Sequence, residues 1–259
     1  MSRRHVAFEC EGSALVGTLD EAAGTTGLLI ISGGNEIRAG AWNGQALLAA
    51  RIAAAGHSVF RFDRRGVGDS GGGNGGFRLS AADIAAALAA FRAAAAQTNR
   101  VVAFGNCDAA SALMLAGGEG CDGLVLSNPW TIEGNGEAPP PPAALRGHYL
   151  ARLRDPAALL RLFKGRVGLG KLLGSLRDAA RSAPPPGSLA QDMAAGLARF
   201  SGPVAIVIAE RDRTGQAFLA AWNKADPRVA RCADATHSYV ESHAREWLEA
   251  RLLEALAAV

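Results

Sequence analysis

The sequence predicts an α/β protein, a mostly parallel sheet with helices on both faces. Strand-length runs such as TGLLIIS and PVAIVIAE are apolar throughout rather than alternating, the pattern of strands buried on both sides. Helical stretches rich in Ala and Leu separate them, so strand and helix alternate along the chain. In VVAFGNCDAASALML, residues 101–115, an apolar run turns through Gly105-Asn106-Cys107-Asp108-Ala109 into a second apolar segment.

Taken in order, ALVGTLD reads as an early strand, and TGLLIIS as a buried strand stopped by Gly33-Gly34. GQALLAARIAAAG is a helix ending at Gly56, and HSVFRFD is the next strand. Ser80 opens the helix SAADIAAALAAFRAAAA, with Asp83 three residues on. That is a capping-box pattern, in which each side chain satisfies an orphan helix N–H. RVVAFG is a strand that leads into the Cys107 turn, followed by a helix to about Ala116 and the strand DGLVLSNP. PVAIVIAE and RVARCAD are the late strands. In the last helix, VESHAREWLEARLLEALAAV, Trp247, Leu248, Leu252 and Leu256 recur at helical spacing and mark a buried stripe.

Residues 131–200 break the rhythm. EAPPPPAALRG and SAPPPG bracket a basic helical stretch. Proline lacks an N–H and resists helix interiors, so the two runs read as borders. The expected organisation is a core of residues 1–130 and 201–259 with a helical cap insertion at 131–200, either a lid or a surface excursion. Its basic residues, among them Arg152, Arg154, Arg161, Lys164 and Arg166, either meet an anionic substrate or form a solvated helix face.

A chain of 259 residues fits one large α/β domain or two small ones. It is 49% hydrophobic and 20% charged, with a formal charge of +3 and no Lys/Arg block, which argues against a nucleic-acid partner. Cys10, Cys107, Cys121 and Cys232 are widely spaced and form no CxxC pair. This spacing speaks against zinc and disulfide frameworks and suits a reducing, cytoplasmic setting. The N-terminus has positive charge but no apolar run of signal-peptide type, and no stretch of about 18 apolar residues is present to span a membrane. Gly66-x-Gly68-x-x-Gly71 matches the dinucleotide fingerprint as a bare pattern. The glycines run on to Gly76, however, no helix follows them until Ser80, and no acid ends the next strand, so no cofactor is expected; the cysteine spacing leaves no metal expected.

Cys107 has two readings: a small buried filler, or a nucleophile held out on a strand-to-helix elbow. Gly105 and Ala109 are the small flanking residues an elbow needs, giving G-x-C-x-A where G-x-S-x-G is commonest. An elbow places the sulfur at a helix N-terminus, where the dipole favours negative charge. The N–H of Asp108 then faces the developing oxyanion. A triad of this kind runs nucleophile, acid, histidine. Asp212 follows the VAIVIAE run, with Glu210 as a second candidate acid, and His237 lies in the loop before the last helix. Of the other four histidines, His5 precedes the expected sheet, His57 opens a strand, His148 sits in the insertion and His243 in the last helix. The second oxyanion donor falls in Ser32-Gly33-Gly34-Asn35, with the N–H of Gly34 as first candidate and Asn35 as its neighbour.

Over almost its whole length the sequence resembles the α/β-hydrolase superfamily, through SGGNEIRAGAWNGQALLAARIAAAGHSVFRFDRRGVGDSGG, GNCDAASALML, ERD and THS. More narrowly, GGNEIR, FDRRGVGDSGG and the GNCDAASAL elbow are similar to the type-1 hydrolases encoded with bacterial exosortase A systems, which carry cysteine at the elbow. The resemblance implies an eight-stranded core sheet with a helical cap and a setting of exopolysaccharide production and protein sorting. Ser32 stands where the oxyanion loop usually has histidine. The expected activity is hydrolysis of an ester or thioester by a Cys-His-Asp triad through an acyl-enzyme. The same residues serve an acyltransferase, and a non-catalytic partner of such a system is the alternative from another class. The expected partner is a small-molecule or carrier-bound acyl substrate.

Overall fold

The computed structural model describes residues 2–133 and 188–259. Eight strands form one sheet: β1 (Ser2–Cys10), β2 (Ser13–Glu21), β3 (Thr26–Ile31), β4 (Ser58–Phe62), β5 (Arg100–Asn106), β6 (Gly123–Ser127), β7 (Val204–Ala209) and β8 (Val229–Cys232). Their order is β1-β2-β4-β3-β5-β6-β7-β8. β1 pairs antiparallel with β2, and β2 with β4; every later pairing is parallel. The sheet is the eight-stranded, mostly parallel one expected.

Six helices are described: α1 (Gly44–Ala54), α2 (Ala81–Ala94), α3 (Asp108–Leu115), α4 (Ser188–Leu197), α5 (Arg213–Ala221) and α6 (Ser242–Ala257). They sandwich the sheet because its strands are apolar on both faces. On one side Phe60, Phe91, Leu113 and Met193 share a core. On the other, Leu28, Ile30 and Phe104 pack with Ile52 of α1 and with Leu248, Leu252 and Leu256 of α6. Each such side chain contributes about 1.5–3 kcal/mol when fully buried. The α6 stripe is therefore core as predicted, with Trp247 half-buried beside it.

β1 was not foreseen, and His5 lies within it rather than ahead of the sheet. The strand is an exposed edge with arginines on it. Only Val6, Phe8 and Cys10, alternating inward, announce it. The capping box is also absent. Ser80 makes no cap bond: its hydroxyl donates to the Gly76 carbonyl at 3.0 Å and accepts from Arg64 Nη1 at 3.0 Å. Asp83 accepts the Arg65 N–H at 3.1 Å and pairs with the Arg65 side chain. Two arginines drawn into the protein needed partners, and the helix start supplied them. The Gly66–Gly71 loop wraps a buried carboxylate, Asp63, which accepts the N–H groups of Arg38 at 2.6 Å and Asp69 at 3.0 Å. A Cβ at Gly68 would collide with that carboxylate.

Within the expected insertion, helix α4 packs Leu189, Met193 and Leu197 into the same core as α3. The Ser188 hydroxyl donates to Glu133 Oε1 at 3.0 Å, a bond between the two residues that flank the 134–187 segment. That segment lies outside the described residues. So do the proline runs, His148, the named basic residues, and with them the expected lid.

Candidate active site

The elbow follows from local sterics. A Cβ on Gly105 would sit 2.7 Å from the Ala109 carbonyl carbon and the Ala110 nitrogen, so only glycine fits there. Cys107 takes φ 63 and ψ −128, between the end of β5 and the start of α3. A non-glycine residue held there costs on the order of 1–3 kcal/mol, and such strain clusters at functional sites. The Cys107 N–H is tied to the Ser127 carbonyl at 2.9 Å, and the Trp130 N–H donates to the Cys107 carbonyl at 3.3 Å. The cysteine is half-buried rather than packed away.

Asp212 and His237, about 25 residues apart in sequence, come together over the ends of β7 and β8. Asp212 caps α5, accepting the N–H groups of Thr214 at 3.2 Å and Gly215 at 3.0 Å. Its Oδ2 lies 2.9 Å from His237 Nδ1. Hydrogen bonds with Asp212 and then with Cys107 push the His237 imidazole up to about 10, against the opposing effect of its burial. The buried Asp212 carboxylate thus favours the protonated imidazole. Glu210 does not reach it. That side chain is exposed, while its backbone N–H and carbonyl bond to the Cys232 carbonyl at 3.1 Å and Gln216 Nε2 at 2.8 Å.

The expected oxyanion donors are arranged differently. Gly33 packs on the elbow: a Cβ there would sit 2.5 Å from the Asn106 carbonyl and 3.2 Å from Cys107 Cβ. The next N–H, that of Gly34, is not open toward substrate but donates to Asp108 Oδ1 at 2.7 Å. Buried Arg64 holds both partners: its Nη2 lies 3.6 Å from the same oxygen and donates to the Gly34 carbonyl. Asn35 is exposed, with its Oδ1 accepting from Asn74 Nδ2 at 2.9 Å. The Asp108 N–H is the first amide of α3 and has no acceptor within the helix.

Several residues around the site carried no motif. Asn106 Nδ2 donates to the His237 carbonyl at 3.2 Å and lies 3.4 Å from its Nε2. Asn106 Oδ1 accepts from Ser127 Oγ at 2.8 Å and Asn128 Nδ2 at 3.1 Å. Asn128, at φ 43 and fully buried, accepts the Ala209 N–H at 2.8 Å. Tyr239 meets Ser127 Oγ at 3.0 Å. This network fixes the imidazole relative to the elbow. Its one sequence signal was an asparagine in the x position of G-x-C-x-A. Arg64 was hidden in the glycine-rich loop motif.

The other cysteines stand in different surroundings. Burial raises all three thiols, Cys121 to about 11, and Cys10 also meets Asp83 at 3.4 Å. Among the described residues no group of three His, Cys, Asp or Glu side chains is placed to hold a metal ion, and no helix is long and apolar enough to cross a membrane.

An eight-stranded sheet with an elbow, an acid and a histidine at its strand ends defines a hydrolase-type α/β architecture. The family described as alpha/beta hydrolase matches residues 28–251, and the chain belongs to it. Among solved structures it is similar to the esterase Pf2001 of Pyrococcus furiosus, at 16% identity and TM-score 0.62, covering 99% of this chain and 90% of that one. It is also similar to the α/β hydrolase GrgF from Penicillium sp. sh18, at 18% identity and TM-score 0.62, over 99% and 98% of the two chains. A serine hydrolase from Xanthomonas campestris, described as lacking a lid, matches at 13% identity and TM-score 0.60, over 99% and 94%. At these identities the likeness is one of fold. No curated protein matched the chain.

Proposed function

We propose that the protein hydrolyses an ester or thioester, with Cys107 as nucleophile, His237 as general base and acid, and Asp212 as the group that orients the imidazole. The observation that carries the reading is the 2.9 Å Asp212–His237 pair, which Asn106 ties to the strained elbow at Cys107. The Cys107 sulfur attacks the carbonyl carbon while His237 holds the proton taken from the thiol. The bond to the leaving group then breaks, and His237 Nε2 passes its proton to the departing oxygen or sulfur. Water next gives a proton to His237 and attacks the thioester carbon. The C–S bond breaks, releasing the acid, and His237 returns its proton to the Cys107 sulfur.

The N–H groups of Asp108 and Gly34 suit the oxyanion once the Asp108 carboxylate yields Gly34 and rests on Arg64. If a substrate hydroxyl or amine replaces water in the second half, the same residues make an acyltransferase, and water exclusion decides between them. An insertion over residues 131–200 is part of this reading. Trp130 bonds the Cys107 carbonyl, so the segment leaves the core beside the elbow. The basic residues of the 131–200 stretch suit an anionic substrate such as a carrier-bound acyl group, and the four free cysteines suit a cytoplasmic setting.

A non-catalytic partner with the same fold is distinguished by turnover. The test is p-nitrophenyl acetate hydrolysis with intact-mass detection of an acylated chain. The reading expects an acetyl adduct on Cys107, lost in Cys107→Ala. Turnover that survives Cys107→Ala removes the proposed nucleophile, and no turnover with any acyl donor favours the non-catalytic partner.

A further inference from the structure

We infer that the cavity between α1 and α6 is the pocket for the acyl chain of the substrate, and that it takes a neutral aliphatic chain of medium length. The inference rests on the function proposed above. The cavity measures about 340 Å³, at the small end of the roughly 300–1,000 Å³ typical of ligand sites. Leu48 of α1, Phe104 of β5 and Leu248 of α6 form its apolar wall.

Three observations point to an apolar occupant. First, Trp42, Leu47 and Val240 line it while 83%, 52% and 44% exposed, and they are most of the large apolar side chains that stand exposed among the described residues. Such clustering marks a contact surface rather than scattered surface apolars. Second, Trp42 (φ 59) and its neighbour Asn43 (φ 57) are consecutive non-glycine residues in the left-handed region. That backbone makes the kink at the entry to α1 and leaves the indole exposed at the cavity. Third, the charged side chains that line the cavity are of both signs. Arg51 is paired with Glu249 at 2.6 Å, and Arg245 bonds Ser242 Oγ at 3.3 Å with Glu36 on the same cavity.

The cavity adjoins the candidate active site. Asn106 and Ser238, chain neighbours of Cys107 and His237, are part of its lining. A chain threaded there from the elbow presents its carbonyl end at the sulfur and its methyl end between α1 and α6.

The test fills the cavity from exposed positions on two elements, with Val240→Trp and Leu47→Trp. One arm compares kcat/KM for p-nitrophenyl octanoate and acetate. Each buried methylene is worth up to about fourfold, so the intact protein should favour octanoate at least tenfold, and each variant should cut that ratio at least tenfold. A second arm needs no turnover: Cys107→Ala protein is titrated with octanamide and acetamide by tryptophan fluorescence. Saturable binding of octanamide alone, lost on filling, is expected. If no ester is hydrolysed but this binding is found, the hydrolase reading fails and the pocket stands. The pocket is overturned if esters are hydrolysed with a chain-length ratio indifferent to filling. It is equally overturned if octanamide binds no better than acetamide.

Discussion

The carboxylate of Asp108 accepts the N–H of Gly34 at 2.7 Å. The residue that follows the candidate nucleophile thus occupies one of the two amides expected to meet an oxyanion. A negative charge in that place opposes the charge that develops on a carbonyl oxygen, and Arg64 at 3.6 Å is its alternative partner.

Asp108→Ala should therefore raise kcat for p-nitrophenyl acetate, by roughly threefold or more, a barrier change of less than about 1 kcal/mol at threefold. Its backbone N–H is retained. Steady-state kinetics check this; a loss of activity with unchanged melting temperature would show that the carboxylate positions the Gly33-Gly34 loop rather than blocking it.

His237 links pH to stability. Its folded value of about 10 lies above the usual histidine value of about 6.5. A raised group contributes stability that is fully present below the lower value and lost as pH rises through the higher one. The melting temperature should fall by a few degrees more between pH 6.5 and 10 in the intact protein than in His237→Gln. Parallel curves for the two would mean the imidazolium is not held by Asp212.

Gly105 tests the elbow itself. Gly105→Ala puts a methyl 2.7 Å from the backbone of α3. The cost should be about 1–3 kcal/mol, as for other overpacked sites, and activity should fall with it. Thermal unfolding gives the number; an unchanged melting temperature would mean the turn relaxes freely and is not strained.

The parallel sheet was legible because its strands are apolar on both faces, and the Gly105–Ala109 turn because an elbow tolerates only small flanks. His237 and Asp212 were legible from their order along the chain. Edge strand β1 was not, since one exposed face leaves only Val6, Phe8 and Cys10 as signal. Asn106 and Asn128 were not, because a buried amide network has no spacing of its own. The Asp108–Gly34 bond joins residues 74 apart, and nothing local to either announces it. Ser80 and Asp83 matched a capping box in sequence, but Arg64 and Arg65 claimed them instead.

The central claim is that Cys107 is chemically distinct among the four cysteines and that His237 makes it so. Iodoacetamide at pH 7, followed by peptide mass mapping, measures this directly. Cys107 should be alkylated first, since burial raises the thiols of Cys10, Cys121 and Cys232 and thiolate is the reacting form. His237→Ala should slow the labelling of Cys107 severalfold and leave the other three unchanged. Equal labelling of Cys107 and Cys121, or a Cys107 rate indifferent to His237→Ala, would mean that the elbow cysteine is packing and not chemistry.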